Sequence, residues 1–371
     1  MTAFSNAPFL NGKAYGFYST STGEDVVNVP GLLADCRQRV KLPGVGPRGL
    51  AVCGSQVYVA VYFTDSIAAV SLARDGEAIV RSLPLGPQPQ WDEVRRGEVL
   101  FHDGRICFRG WQSCASCHPE GAADALNWDL LNDGEGNPKI TKGLLWSHRT
   151  PPAMASGVHP TAEAAVRSGI RHILTLERPE ADAAAIDACL KSLRPQPSPL
   201  LVQGQLSPAV ERGRQLCESD RVTCATCYPA PLYTDLKTYD VGSRGRSDER
   251  STFDTPTPVE VWRTAPYLHD GRCATIEQLL TEGRHGGADQ LRAEEVADLA
   301  AFVLSLYPED DQRRYKARFR PDNVIRRVLK AFRRLARKRI RALCRRRMEE
   351  YAKQPGRWAH RADRLRIMPP E

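Results

Sequence analysis

The sequence contains no apolar run close to the roughly 20 residues that a helix needs to cross a bilayer, so it is not read as an integral membrane protein. Met1-Thr2-Ala3-Phe4-Ser5 begins no basic stretch followed by an apolar one, although the chemistry described below belongs outside the cytoplasm; the front end is therefore expected to be truncated or its start misassigned. Nor do the 11 cysteines make a disulfide framework. Four fall in two C-x-x-C pairs, and the other seven (Cys36, Cys53, Cys107, Cys189, Cys217, Cys273 and Cys344) are an odd number at irregular spacing, read mostly as small buried apolar side chains. No compositional bias marks a fibrous chain, and 371 residues suffice for two or three domains with cores of their own. The formal charge of +8 hides a division: residues 309–371 carry 22 Lys and Arg against 8 Asp and Glu, a surplus of +14, so the rest sums to −6.

What is present is organised around Cys114-Ala115-Ser116-Cys117-His118. C-x-x-C-H is the attachment signal for a c-type haem: each thiol bonds one vinyl group, and the adjacent imidazole lies beneath the iron as axial ligand. A zinc or redox C-x-x-C is the plainer alternative. A second copy weighs against it: Cys224-Ala225-Thr226-Cys227-Tyr228 keeps both thiols and puts tyrosine where the imidazole should be.

From Pro43 to Leu83 the chain reads as short β-branched runs, 47–52, 56–60, 66–72 and 78–83, parted by Gly-Ser and Thr-Asp turns. Four antiparallel strands in about 40 residues make one propeller blade, and Val59-Ala60-Val61-Tyr62 resembles the Y-V-T-N repeat. One blade cannot close a ring, so residues 1–86 are expected to be a partial β-propeller. Beyond the linker Leu85-Gly86-Pro87-Gln88-Pro89 the pattern turns helical and repeats. Arg96-Gly97 and Leu100 match Arg212-Gly213 and Leu216. Arg149-Thr150-Pro151-Pro152, Gly157, Thr161 and Glu163 match Arg263-Thr264-Ala265-Pro266, Gly271, Thr275 and Glu277 at one constant offset. Each copy closes on an apolar-periodic helix, ending at Leu190–Leu193 and Val303–Leu306. The expected architecture is mixed: a blade of antiparallel strands, then tandem all-α cytochrome c-like domains at 90–198 and 205–307, then a basic helical tail, 308–371. The tail's stripe of Ile325, Leu329, Phe332, Ala336, Ile340 and Leu343 suits an anionic membrane or an acidic partner. Nucleic acid is not expected.

His118 is the expected proximal ligand of the first haem. His148, Met154, His159 and His172 are candidates for its other face, and His172 falls one residue past the counterpart of His285. His172 or Glu163 would handle protons. At the second pair three outcomes stay open: a haem with Tyr228 as axial ligand, a haem held by Cys224, Cys227 and His285, or no haem. Arg149 and Arg263 occupy matching places suited to haem propionates. Asn132-Asp133-Gly134-Glu135-Gly136-Asn137 offers oxygen ligands for Ca²⁺ but lacks EF-hand spacing, and a plain turn is the better reading.

The duplicated C-x-x-C, the stretch from Gly121 to Asn137 and the string Ala265-Pro266-Tyr267-Leu268-His269-Asp270-Gly271 resemble the bacterial di-haem cytochrome c peroxidase superfamily, in the form fused to a Y-V-T-N-type propeller. The resemblance covers about residues 30–306. It implies two c-haems in an exported, periplasmic protein, one taking electrons from a small donor such as a cytochrome or cupredoxin. The other, with His118 proximal, would react with hydrogen peroxide or another small oxidant. It also points to His285 as a ligand of the electron-accepting haem. Three departures matter: Tyr228 replaces the second proximal histidine, Met154-Ala155-Ser156-Gly157 lacks the tryptophan that the superfamily places between its haems, and the ring of blades is incomplete. An electron-transfer module without peroxidase activity, or a degenerate haem-binding scaffold, are the alternatives.

Overall fold

The computed structural model describes residues 40–71, 78–130, 138–200 and 207–307. The 132–137 loop, the basic tail and the stretch before residue 40 lie outside the described residues, as do Cys36 and Cys344. The chain forms two compact units, Met1–Ser116 with Leu174–Cys189, and Cys117–Ile173 with Leu190–Glu371.

The first unit carries a four-stranded antiparallel sheet in sequence order, β1 (Pro47–Cys53), β2 (Gln56–Val61), β3 (Ser66–Ser71) and β4 (Ile79–Pro84). Register follows the β-branched pattern: Val57 pairs with Val70, and Val70 with Val80. Leu50 and Val52 on β1 and Ile79 and Leu83 on β4 remain exposed, so side chains on both faces of this sheet are apolar. Tyr62 and Phe63 follow β2. The guanidinium carbons of Arg48 and Arg95 each lie 4.2 Å from the Tyr62 ring centroid, a double cation–π contact, and Glu98 pairs with both arginines. Gly46 takes φ +76°, and a Cβ there would run into the Phe63 ring.

Helix α1 (Glu93–His102) begins where Asp92 accepts a hydrogen bond from the Arg95 amide at 2.7 Å. It crosses α4 (Glu180–Ser192) through Gly97, whose missing side chain makes room for the carbonyl of Ala185. The second unit repeats this crossing. In α5 (Pro208–Cys217), Gly213 faces the carbonyl of Asp298 on α8 (Ala293–Leu304). The repeated Arg-Gly thus marks a backbone-to-backbone approach that no larger residue permits. Gly213→Ala is expected to cost about 1–3 kcal/mol by overpacking; a thermal melt that does not move would show that α5 and α8 can separate without penalty.

The remaining elements of the two repeats correspond closely. Two-residue ladders, β5 (Asn127–Trp128) with β6 (Lys139–Ile140) and β7 (Thr238–Tyr239) with β8 (Phe253–Asp254), follow the two C-x-x-C helices, α2 (Cys114–Cys117) and α6 (Cys224–Cys227). A helix capped by a threonine comes later in each: α3 (Ala162–Ser168), where Thr161 accepts from Ala164, and α7 (Ile276–Thr281), where Thr275 accepts from Gln278. Within the second unit the ladders are exchanged. The Ile140 amide donates to the His269 carbonyl at 2.7 Å, and at the matching place the Asp254 amide donates to the Ala155 carbonyl at 2.8 Å. The region expected to be all-α therefore contains short strands. Each satisfies backbone groups of the other repeat's loop, which loops of this kind cannot do for themselves.

Candidate haem sites

At the first site α2 is a single turn. Ser113 starts it: its amide donates to Ser116 Oγ at 2.9 Å, and its carbonyl accepts from the Ser116 amide at 3.0 Å. Three-residue spacing on that turn places Cys114 and Cys117 on one side, both half-buried and neither in a disulfide. Burial, reinforced by the Asp124 carboxylate, pushes the Cys117 thiol up to about 11, so it is present as the thiol. His118 leaves the turn. Gly121, at φ +75°, bends the chain back so that its amide bonds the His118 carbonyl at 3.0 Å. Burial holds the His118 imidazole below its usual pKa, and its Nδ1 is buried without a hydrogen-bond partner among the described residues.

These features fit a haem c. The donor set is two thiols outside any disulfide and a neutral imidazole, the form that binds iron.

The candidates for the other face of the first site are spread. His148 sits on the short turn Ser147–Arg149, Met154 takes φ +74°, and His159 forms a bridge with Ala153. His172 is exposed on the wide π turn Gly169–Ile173. Glu163, in the first turn of α3, pairs with Lys191 at 2.9 Å; that hydrogen bond, with a smaller contribution from His148, holds its carboxyl down at about 2. Arg149 is exposed, its guanidinium 5.0 Å from the Trp146 centroid. Arg263 is committed to the buried Glu260, with Nε 2.9 Å from Oε2, and leans toward the Glu120 carbonyl.

The second site brings its predicted residues together. Tyr228 follows α6, its amide bonded to the Cys224 carbonyl at 2.9 Å, and Tyr228 Oη lies 3.0 Å from His285 Nε2. The loop that presents His285 has left-handed backbone at Arg284, Gly286 and Gly287. The Gly286 carbonyl accepts from the Thr223 amide at 3.0 Å, tying the loop to the start of α6. Burial raises the Tyr228 phenol and lowers the His285 imidazole, so both are neutral and the phenol donates to Nε2. Cys224 and Cys227 would hold a haem c here, and the Tyr228 oxygen and His285 nitrogen would offer ligands to its iron.

Sequence reasoning passed over Lys191 as the partner of Glu163 and treated Cys217 as core. The described cysteines outside the pairs are buried at Cys107, Cys189 and Cys273, half-buried at Cys217 and exposed at Cys53. His269, in the string that carries the resemblance, is buried: its Nε2 lies 2.8 Å from Asp248 Oδ2, and its ring stacks on Phe253. It serves the loop joining β7 to β8 and neither thiol pair.

The chain has two C-x-x-C turns in a duplicated helical frame, and known proteins resemble it. No protein-family model matches the chain. It is 26% identical over 272 residues to hydrazine synthase subunit gamma of Kuenenia stuttgartiensis, covering 57% of this chain and 77% of that protein. Over 266 residues it is 24% identical to cytochrome c551 peroxidase of Nitrosomonas europaea, covering 58% and 80%. Methylamine utilization protein MauG of Methylophilus methylotrophus matches at 22% over 278 residues, covering 62% and 82%. A chain of the K. stuttgartiensis hydrazine synthase structure shares the fold, with a TM-score of 0.53 at 22% identity over 64% of this chain and 98% of that one. These relatives are di-haem cytochrome c peroxidase-like proteins, and the chain is similar to them over 57–62% of its length.

Proposed function

We propose that this chain is an exported, periplasmic c-type haem protein. It carries one haem on Cys114, Cys117 and His118 and a second on Cys224 and Cys227 between Tyr228 and His285. Electrons enter from a small donor protein, a cytochrome or cupredoxin, and hydrogen peroxide or another small oxidant is reduced at the first site. The observation that carries this reading is the opposed pair Tyr228 and His285 beside a second thiol pair, set against His118, which has no such opposed partner in sequence register. Haem iron, when bound, supplies the redox couple and the place where an oxidant binds. His118 supplies a neutral nitrogen, and the Tyr228–His285 pair closes both faces of the second site, which suits electron transfer. Residues 90–198 and 205–307 are the two haem domains, and the sheet of β1–β4, apolar on both faces, is the blade of a partial propeller. Helices among the described residues are too short and polar to cross a membrane.

Glu163 is the residue for proton handling at the first site, with His172 second because it is exposed. The Lys191 ion pair keeps Glu163 ionised across the neutral range, so its part in proton handling is that of a weakly basic carboxylate that orients and stabilises a proton held by a neighbour. Glu163→Gln is expected to lower peroxide turnover by on the order of 10²-fold with unchanged haem content. Unchanged turnover would remove Glu163 from the reaction. One observation favours a second reading, an electron-transfer module without peroxidase activity: neither Glu163, held ionised, nor the exposed His172 is a ready proton donor. Ferric and reduced absorption spectra with and without peroxide decide between the two. A six-coordinate low-spin iron that never reacts excludes the peroxidase.

A further inference from the structure

We propose that Tyr239 is a redox station of the second site: it gives one electron to a haem on Cys224 and Cys227 oxidised by the peroxide reaction, and its hydroxyl proton to Asp235. The electron's destination rests on the second-haem reading above; the proton transfer does not. Asp235 is held ready for that proton. Its Oδ1 accepts from the Lys237 amide at 3.2 Å, which leaves Oδ2 for the Tyr239 hydroxyl, 2.5 Å away. An O–H···O⁻ contact this short is of the strong, charge-assisted kind. The Asp235 amide donates to the Cys227 carbonyl at 3.0 Å, which anchors the pair to the second thiol turn. Tyr239 closes β7 opposite Phe253 and is half-buried, while the Asp235 side chain is 11% exposed with Lys237 Nζ 3.8 Å from Oδ2. The first repeat contains the same device. Asp124 accepts from the Leu126 amide through Oδ1 at 3.0 Å and from Trp128 Nε1 through Oδ2 at 2.8 Å, and Trp128 closes β5 as Tyr239 closes β7. The ring differs between the repeats and the arrangement does not: an oxidisable aromatic directs its heteroatom proton at a carboxylate four residues earlier, in the stretch that follows a C-x-x-C turn. Tyr267, by contrast, donates to the Val261 carbonyl, which cannot take up a proton.

Loss of one electron turns a phenol into a strong acid, so a tyrosine is readily oxidised where a base lies within hydrogen-bond reach of its hydroxyl. The bond to Asp235 also pushes the Tyr239 phenol up to about 12, so the ring enters the step with its proton in place. The Tyr239 O–H bond breaks, the proton forms a bond to Asp235 Oδ2, and the electron passes to the oxidised haem. Tyr239 is oxidised and the haem reduced by one electron each; a neutral phenoxyl radical and a neutral carboxylic acid remain. One electron from the reduced donor protein, with the proton returning from Asp235, restores the phenol and the carboxylate.

The full chain, made without haem, is oxidised at neutral pH by flash-generated tris(bipyridine)ruthenium(III), with persulfate as the electron acceptor, and tyrosyl radical is followed by transient absorption and electron paramagnetic resonance. Tyr239→Phe, which keeps the ring, is expected to remove most of the prompt tyrosyl signal, and Asp235→Asn, which keeps the oxygen that accepts the Lys237 amide, to slow its formation at least about tenfold. A signal unchanged in Tyr239→Phe overturns the assignment of Tyr239, and an equal rate in Asp235→Asn overturns Asp235 as the proton acceptor. Mature protein is then mixed with hydrogen peroxide and freeze-quenched, its haem counted as the pyridine haemochrome. With two haems per chain, a tyrosyl radical is expected in the parent and not in Tyr239→Phe. The same radical in both, or in neither, overturns the electron's route. A count of one haem overturns the second-haem reading and the route with it, while the proton transfer stands on the photochemical measurement.

Discussion

Replacing His118 by Ala is expected to leave porphyrin attached through Cys114 and Cys117 while removing the imidazole signature from the Soret region. The reason is specific to this residue. Burial holds its imidazole neutral, so it offers a lone pair at neutral pH without first losing a proton, and its neighbour in the chain, Pro119, offers no ligand to replace it. Loss of outer partners of a metal ligand commonly costs 10–100-fold, so loss of the ligand itself is expected to cost at least about 10²-fold in peroxide turnover. A Soret spectrum identical to the parent would refute the assignment. Cys114→Ser with Cys117→Ser is the companion measurement: intact mass should drop by one covalently held haem, and an unchanged mass would place the attachment elsewhere.

Much of the architecture was legible because it is written in periodicity and offset. The strands at 47–84 follow from β-branched runs parted by turn residues, and the sheet has the expected order. The duplication was visible as a constant spacing, and the structure extends it to capping threonines, glycine crossings and bridges. What was hidden lacks a pattern. Two-residue ladders have no period to detect, so the exchange of hairpins had no signal in the sequence. His172 shows where offset counting stops. The wide turn at Gly169–Ile173 inserts an extra residue relative to an α-helical path, and the side chain one place past the counterpart of His285 ends exposed. At the second site the residues were nominated separately, and their meeting depends on left-handed backbone around His285, which Gly286 and Gly287 permit but Arg284 does not announce.

Tyr228→His is expected to move the second haem toward imidazole-ligated spectra and to raise its potential, since a phenolate oxygen stabilises ferric iron more than a neutral nitrogen does. The protein environment would make the phenolate a demanding ligand in the parent. Burial raises the phenol above its ordinary range, so only the charge of a bound iron offsets the cost of ionising it. Without iron the hydroxyl keeps its proton and donates it to His285. Tyr228→Phe separates these two states. In haem-free chain it leaves the buried His285 Nε2 unpaired, which is expected to cost about 1–3 kcal/mol in a denaturation experiment. In mature protein it is expected to leave the pyridine haemochrome count at two while removing the oxygen ligand from the spectrum. A count of one haem per chain in the parent, with no spectral response to either substitution, would mean that Tyr228 and His285 meet only as a buried hydrogen bond and that the second thiol pair holds no iron.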